Sequence, residues 1–312
     1  MKTFEEVFYE FHRLLSPSIA PRRRYDLVNQ YENRIHPFIG DLLLNEIDHH
    51  IAVQPIRKLE MEGKTRSSNQ VRQLIERVFD YAFYVGYCNH NPVYILKKVT
   101  KRHTQVSYPF LNTIYMPDFF IEMKKKTTID KLHWVALLVI VLTAARSGEV
   151  FGMRWCEIDF KTKEWNIPPF RMKTRIAHTI MLSEQLIDLL KRWKEVCTSD
   201  FYVFPSRYKN KDHITGSRIR NSILLTKYAN KQTLHGFRHI FSTTCYESNL
   251  WREDAIELCI AHNSMTRDYH GSKRFYNHAR YKKEKRQIMQ WYADIVQGWL
   301  FPADNEIISI DD

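Results

Sequence analysis

The sequence is poor in glycine and has no long apolar run. Only 9 of its 312 residues are glycine, whereas 44% are hydrophobic and 13% are aromatic, a balance that favours helix-rich packed domains over disorder. The apolar run from Trp134 to Leu142 is far too short to cross a bilayer, and no lipidation motif is present. We therefore expect no membrane partner, and the chain length predicts two domains.

Cysteine is sparse and poorly spaced for metal binding. None of the five cysteines belongs to a C-x-x-C pair, and their odd number, in a sequence without a signal peptide, fits the reducing cytoplasm. There is no His-x-His pair and no dense carboxylate cluster to hold Mg²⁺ or Mn²⁺. The sequence also lacks the phosphate-binding loop of ATPases and the G-x-S-x-G elbow of hydrolases. We expect neither a metal nor a cofactor.

What the chain has in excess is positive charge, with a formal net charge of +12. Residues 1–103 contain 16 Lys+Arg and 12 Asp+Glu, and the remainder contains 31 and 23, so both parts are basic. A polyanion that contacts both parts explains this distribution better than a single basic tail does. Charge alone favours a nucleic-acid-binding protein and a merely soluble basic protein about equally.

The front of the chain has the periodicity of helices. Thr3 and Glu6 have the spacing of a capping box at the start of the first helix, and a second helix is predicted over residues 24–35. The strongest apolar stripe runs from Val71 to Phe83 on one face of a long helix. Asn89–Pro92 ends that helix, so we predict an all-helical domain.

A basic segment separates this helical part from the rest of the chain. Residues 97–103 are charged and only weakly apolar. They are typical of a solvated linker and equally of one that follows a DNA backbone, where it would gain affinity through counterion release. We place the domain boundary here: the helical domain with its linker covers residues 1–103, and the second domain covers residues 104–312.

The second domain is predicted to be mainly α with a small antiparallel β-sheet, an α+β fold. Helices are expected over residues 117–126 and 130–144. Two strands, at Glu164–Ile167 and His178–Leu182, follow around a polar connection. From Ser183 to the end we predict helices, one of which contains both His235 and Arg238.

Two arginines and a histidine are candidate phosphate ligands. Arg146 follows an apolar helix, where a guanidinium needs an anionic partner, either Glu149 three residues on or a phosphate. His235 and Arg238 are three residues apart, so on a helix they would share a face and meet one phosphate. Each of these signals is weak by itself.

Three further residues are candidates for proton transfer or nucleophilic attack. Lys173 lies between the two predicted strands, as an ordinary charged turn residue or as a general acid for a departing 5′ oxygen. His262 follows an apolar stretch and is equally typical of a capping or core histidine. A phenol can attack phosphorus, but Tyr276 is one of 17 tyrosines, and local sequence does not separate it from Tyr269 and Tyr281.

Taken in order, these residues resemble the motifs of the tyrosine recombinases, the phage integrase family. The version with Phe204–Ser206, Met172–Lys173 and Met289–Trp291 resembles the integrases of satellite phages and genomic islands. The resemblance is carried by boxes in the family's order between about residues 112 and 300: Thr143–Asp159, Met172–Ser183, His235–His239, Leu258–His262, and Tyr276 followed by Met289–Asp294. Ala261 stands where the family more often has glycine. Residues 3–96 resemble the family's helical core-binding domain in position and pattern.

The resemblance implies a helical core-type DNA-binding domain followed by a tyrosine-recombinase catalytic domain. It implies a site-specific recombinase that needs neither metal nor ATP, and that integrates or excises a mobile element through a 3′-phosphotyrosine. The implied catalytic residues are the phosphate ligands Arg146 and Arg238, the general acid Lys173, the assisting His235 and His262, and the nucleophile Tyr276.

Partners also follow from the resemblance. It implies binding to double-stranded DNA, a homotetramer on recombining sites, and a DNA-bending host factor or an excisionase. The implied location is the bacterial cytoplasm, at the nucleoid.

Other functions stay open on the sequence alone. A type IB topoisomerase relaxes DNA with the same residues, and a catalytically inactive DNA-binding regulator would keep the fold. The six candidate positions all hold chemically competent residue types, which disfavours the inactive regulator.

The end of the chain carries an apolar helical stripe. It either packs on its own domain or is donated to a neighbouring protomer, and the resemblance favours donation. Its members are Ile288, Trp291, Tyr292, Ile295 and Trp299.

Overall fold

The computed structural model describes residues 2–99, 108–126, 128–261 and 281–301. The chain divides into two compact units, Met1–Val106 and Ser107–Asp312. Among the described helices, none combines the length and the apolar character needed to cross a membrane. Most of the basic segment at residues 97–103 lies outside the described residues.

The first unit is helical wherever the structure describes regular elements, as predicted. Thr3 forms the expected capping box with Glu6, and the second helix begins earlier than predicted because Pro21 occupies its first turn. The long apolar stripe is buried from Val71 to Ala82, in one core with Phe4 and Phe8. Phe83 at its end is exposed, which corrects the prediction for that residue. The helices are α1 Phe4–Leu15, α2 Pro21–Arg34, α3 His36–Ile39, α4 His49–Ala52, α5 Gln54–Met61, α6 Thr65–Tyr84 and α7 Leu96–Val99.

The second unit is built around one fully enclosed helix. Eleven of the thirteen residues of Lys131–Thr143 are buried, so this helix is apolar on every side. Asp130 caps its start, since its carboxylate accepts from the His133 amide at 3.0 Å. The described helices are α8 Met116–Lys124, α9 Lys131–Thr143, α10 Ser147–Phe151, α11 Glu184–Val196, α12 Ser217–Leu224, α13 Gly236–Ser248, α14 Glu253–Cys259 and α15 Lys282–Leu300.

A three-stranded antiparallel sheet lies between α10 and α11. Its strands are β1 Ile158–Asp159, β2 Glu164–Ile167 and β3 His178–Met181, in that order. Trp165 of β2 pairs with Ile180 of β3, and both are buried. The two predicted strands are confirmed. The two-residue β1 was not predicted, because so short a strand shows no alternation.

The prediction of helices from Ser183 to the end is wrong in a long stretch before α12. Residues 197–216 are not helical and contain isolated bridges, Arg154 with Tyr202 and Pro205 with His213. The indole of Trp193 donates to the Val203 carbonyl at 2.8 Å. These longer-range hydrogen bonds within the chain satisfy backbone groups that a helix would have paired locally.

The apolar face of the last helix is used within its own unit. Ile288, Tyr292 and Trp299 are buried in the core of the second unit, and Trp291 and Ile295 pack against it partly buried. The rings of Tyr292 and Phe241 meet edge to face at 4.8 Å. The preference for donation of this face to a neighbouring protomer is therefore wrong for these residues, because α13 and the rest of its own unit already cover them.

Candidate active site

Arg146 is positioned by the turn between α9 and α10. Ala144 ends α9 in the left-handed conformation, with φ of 50°, and Arg146 precedes α10. Its backbone N–H donates to one carboxylate oxygen of Glu149 at 3.0 Å, and its guanidinium donates to the other at 2.9 Å. Glu149 is buried, so this ion pair fixes the guanidinium in place and is the nearby pairing that the spacing allowed.

Arg238 lies in the first turn of α13 and is 7% exposed. Its neighbours Phe237 and Phe241 are fully buried, as predicted. The guanidinium donates to the carbonyl of Ala144 at 3.1 Å and to the carbonyl of Ile260. Burial, with the nearby charge of Arg146, lowers the pKa of Arg238 to about 10. The group is still a cation at neutral pH, held in a place that is costly for an unpaired charge.

The two arginines converge on one short backbone segment. Arg146 donates to the carbonyl of Ala261 at 3.4 Å, next to the Ile260 carbonyl that Arg238 binds. Ala261 has φ of 46°, in the left-handed region that an alanine adopts only at a cost of about 1–2 kcal/mol. Glycine carries no such penalty.

A half-buried histidine lies close to these cations. The ring of His178, at the start of β3, lies 3.1 Å from the Cys259 carbonyl. Burial and the cations Lys285, Arg238 and Arg146 lower the pKa of His178 to about 4. Lys285 of α15 is itself buried and donates to the Thr179 carbonyl at 2.8 Å. A cluster of cations such as this one favours an anionic ligand.

The low pKa of His178 makes folding stability depend on pH. The imidazole takes up a proton at about pH 6.5 in the unfolded chain and at about 4 in the folded one. The stability that it contributes is therefore complete above pH 6.5 and is lost as pH falls towards 4, by at most about 3 kcal/mol. We expect the free energy of unfolding of His178→Gln to fall less between pH 7 and pH 4.5 than that of the native protein. Urea unfolding of both proteins at pH 7 and pH 4.5 measures it, and an equal loss in the two proteins would refute it.

Lys173 lies in the loop between β2 and β3, as predicted, and its side chain is exposed. The residue two positions earlier ties this loop to the segment that holds Arg146. Arg171 donates to the backbone carbonyl of Glu149 and to the carboxylate of Glu157. The loop is thus connected to the arginine pair through Glu149.

His235 is not inside a helix, which corrects the prediction. It is the residue before α13 and caps its start with helical backbone angles. Its exposed ring meets Tyr108 edge to face at 4.8 Å and His239 at 5.3 Å. The side chain of Thr233 accepts the Gly236 N–H at 3.0 Å, and an acceptor side chain of this kind favours a helix start over one more helical turn.

The remaining candidates, His262 and Tyr276, lie outside the described residues, and so does Tyr269. The carbonyl that Arg146 binds belongs to the residue directly before His262. The other rival tyrosine, Tyr281, precedes α15 and is half-buried in the left-handed conformation, with the guanidinium of Arg252 5.9 Å from its ring centre.

Metal ligands are not gathered at this site among the residues that the structure describes. In that part of the chain, one group of three potential ligands lies within 4.8 Å of one another, and it belongs to the first unit: Glu5, His36 and Asp41. His36 is 3.5 Å from Glu5 and 3.6 Å from Asp41, distances that an ordinary ion pair explains.

Sequence reasoning missed three residues of this region. Arg171 was taken as part of a charged turn, Glu157 as part of a motif, and His178 as the start of a strand. Each of these residues takes its role from a contact with another element of the fold. Such a contact leaves no sign in the local sequence pattern. The one available signal was the high charge of Arg171–Arg175 beside two apolar strands.

Both units match known protein families. Residues 4–99 match the phage integrase central domain, and residues 118–281 match the phage integrase family. The integrase of Shigella phage Sf6 is 32% identical over 274 residues, which cover 86% of this chain and 69% of that protein.

Solved structures share the fold. A λ integrase dimer (residues 75–356) bound to a COC′ core site superposes with a TM-score of 0.67 at 16% identity, covering 86% of this chain and 98% of that one. A λ integrase tetramer bound to a Holliday junction has a TM-score of 0.68 at 15% identity, covering 87% and 80%. At such identities the likeness establishes the architecture alone.

Proposed function

Because this chain belongs to the phage integrase family of site-specific tyrosine recombinases, we propose that it cuts and rejoins DNA by phosphoryl transfer without a metal ion or ATP. Residues 104–312 would carry the chemistry, and residues 1–103 would bind the DNA next to the cleavage site. The observation that carries the proposal is the convergence of Arg146 and Arg238 on the backbone of residues 260–261.

The arginine pair takes the place that a metal ion has in other phosphoryl-transfer enzymes. An arginine has five N–H donors in a planar fork, and the bonds of Arg238 to Ala144 and Ile260 use two of them. Donors of both guanidiniums contact the non-bridging oxygens of the scissile phosphate. They stabilise the charge that grows on those oxygens in the pentavalent transition state.

The reaction exchanges one phosphodiester for another. The phenol oxygen of Tyr276 attacks phosphorus, the bond from phosphorus to the 5′ oxygen breaks, and Lys173 gives that oxygen a proton. His235 accepts or holds the proton of the phenol, and His262 hydrogen-bonds a phosphate oxygen. The product is a 3′-phosphotyrosine and a free 5′ hydroxyl. A 5′ hydroxyl from a partner duplex reverses the step. The energy of the broken phosphodiester is conserved in the phosphotyrosine until then.

The partners of this reaction are duplex DNA and further copies of the chain. λ integrase, which has the same fold, has been seen as a dimer on a core site and as a tetramer on a Holliday junction. We infer a homotetramer on paired sites at the bacterial nucleoid, with a DNA-bending host factor or an excisionase setting the direction. The net charge of +12 favours such a polyanionic partner.

The metal-free mechanism is tested with a nicked suicide duplex that carries the attachment site. With EDTA present, we expect a covalent protein–DNA adduct on a denaturing gel at the rate seen without EDTA. Loss of the adduct in EDTA, with recovery on adding Mg²⁺, would contradict the proposal. Relaxation of plasmids without the site, at the same rate as plasmids with it, would instead indicate a type IB topoisomerase activity.

A further inference from the structure

The loop that carries Lys173 is exposed at its tip and anchored at its base. It spans residues 168–177, between β2 and β3. Lys173 is exposed, but Met172 is buried in the core and the side chain of Arg171 is only 10% exposed. The backbone of Lys173 is therefore held by the two residues that precede it.

Arg171 connects this loop to two other elements. One guanidinium nitrogen donates to the carboxylate of Glu157, which is 5% exposed and also accepts from the Trp165 indole at 3.0 Å. The other donates to the backbone carbonyl of Glu149 at 2.5 Å. A side chain at Gly152 would stand 3.0 Å from that same nitrogen, so the glycine leaves the space that the guanidinium occupies.

Glu149 is shared between this anchor and Arg146. Its backbone carbonyl accepts from Arg171, and its carboxylate accepts from Arg146 at 2.9 Å. A single residue thus separates the guanidinium that fixes the lysine loop from the guanidinium assigned to the phosphate. We propose that Arg171 is a positioning residue, which holds Lys173 at the distance from Arg146 that proton transfer to the 5′ oxygen requires.

This inference rests on the proposed role of Lys173 as the general acid. A buried ion pair such as Arg171–Glu157 gives little net stability, because the desolvation of both charges offsets their attraction. Its value here is geometric: an arginine fork reaches two acceptors at once, which a lysine does not do. Displacement of a catalytic group by about 1 Å costs on the order of 10²-fold in rate.

The experiment compares two suicide substrates that differ in one atom. The first has the ordinary 5′ oxygen as the leaving group, and the second has sulfur there. A thiol has a far lower pKa than an alcohol, about 8.5, so the sulfur leaves without a proton from the enzyme. We expect Arg171→Met to slow cleavage of the oxygen substrate about 10²-fold and to cleave the sulfur substrate within about threefold of the native rate.

Lys173→Ala separates this inference from the function on which it rests. If the sulfur substrate fails to restore cleavage by Lys173→Ala, Lys173 is not the acid and the proposed function is wrong at that residue. If it restores Lys173→Ala but leaves Arg171→Met equally slow on both substrates, the proposed function stands and the positioning role is overturned.

Further variants keep the test decisive if Arg171→Met folds poorly. The double variant Arg171→Met/Glu157→Gln removes the unpaired buried charge, and we expect the same selective rescue. Arg171→Lys is expected to fall between the native protein and Arg171→Met on the oxygen substrate. Lys163→Met removes a half-exposed cation, paired with Glu184, at the other turn of the sheet, and it is expected to leave both rates unchanged. Slow sulfur cleavage by both Arg171→Met and the double variant overturns the positioning role.

Discussion

Arg238→Lys is expected to slow DNA cleavage by about 10²–10³-fold although it keeps the positive charge. The guanidinium is buried and already bonds to Ala144 and Ile260, so its planar fork has donors left in a fixed direction for a phosphate. A lysine ammonium has three donors on a flexible stem and does not satisfy both carbonyls and a phosphate together. Arg146→Lys is expected to behave in the same way because Glu149 fixes that guanidinium.

Single-turnover cleavage of the suicide duplex measures this effect, with DNA affinity determined in parallel. Arg252→Lys is the matched control, since Arg252 is exposed and its guanidinium lies 4.0 Å from Glu284 and 5.9 Å from the ring centre of Tyr281. A rate near that of the native protein for Arg238→Lys, at unchanged affinity, would contradict the assignment of this residue to the transition state.

Tyr276→Phe is expected to abolish the covalent adduct while leaving DNA binding intact. The change removes a single oxygen, and no other atom of the ring can form the phosphotyrosine. Tyr281→Phe is the matched control, because Tyr281 is half-buried at the start of α15 and near Arg252. Adduct formation is measured on a denaturing gel and affinity by titration with labelled duplex. An adduct that persists in Tyr276→Phe would exclude this tyrosine as the nucleophile.

Much of the fold could be predicted because its elements have strong local signals. The enclosed helix α9 is apolar throughout and capped by Asp130, and the hairpin of β2 and β3 has β-branched and aromatic residues on either side of a polar connection. The extended stretch at residues 197–216 was missed. Tyr202 forms a bridge with Arg154, Pro205 forms one with His213, and the Val203 N–H donates to the Met153 carbonyl. Local propensity does not encode such contacts.

The candidate site was predictable in its residue types and their order, but not in its supports. The spacing of His235 and Arg238 suggested a shared helical face, whereas His235 precedes the helix and only Arg238 lies within it. The left-handed backbone at Ala144 and Ala261 has no sequence signal, since alanine is not a residue that favours it. The proposed positioning role of the Arg171 side chain depends on Glu149 and Glu157, which come from other elements.

The central claim is that Tyr276 becomes covalently attached to DNA, and peptide mapping tests it most directly. The native protein is trapped on the suicide duplex in EDTA, digested with a protease and a nuclease, and the modified peptide is sequenced by mass spectrometry. We expect a phosphonucleotide on Tyr276 and on no other residue. A modification on Tyr269, on Tyr281 or on a serine would contradict it.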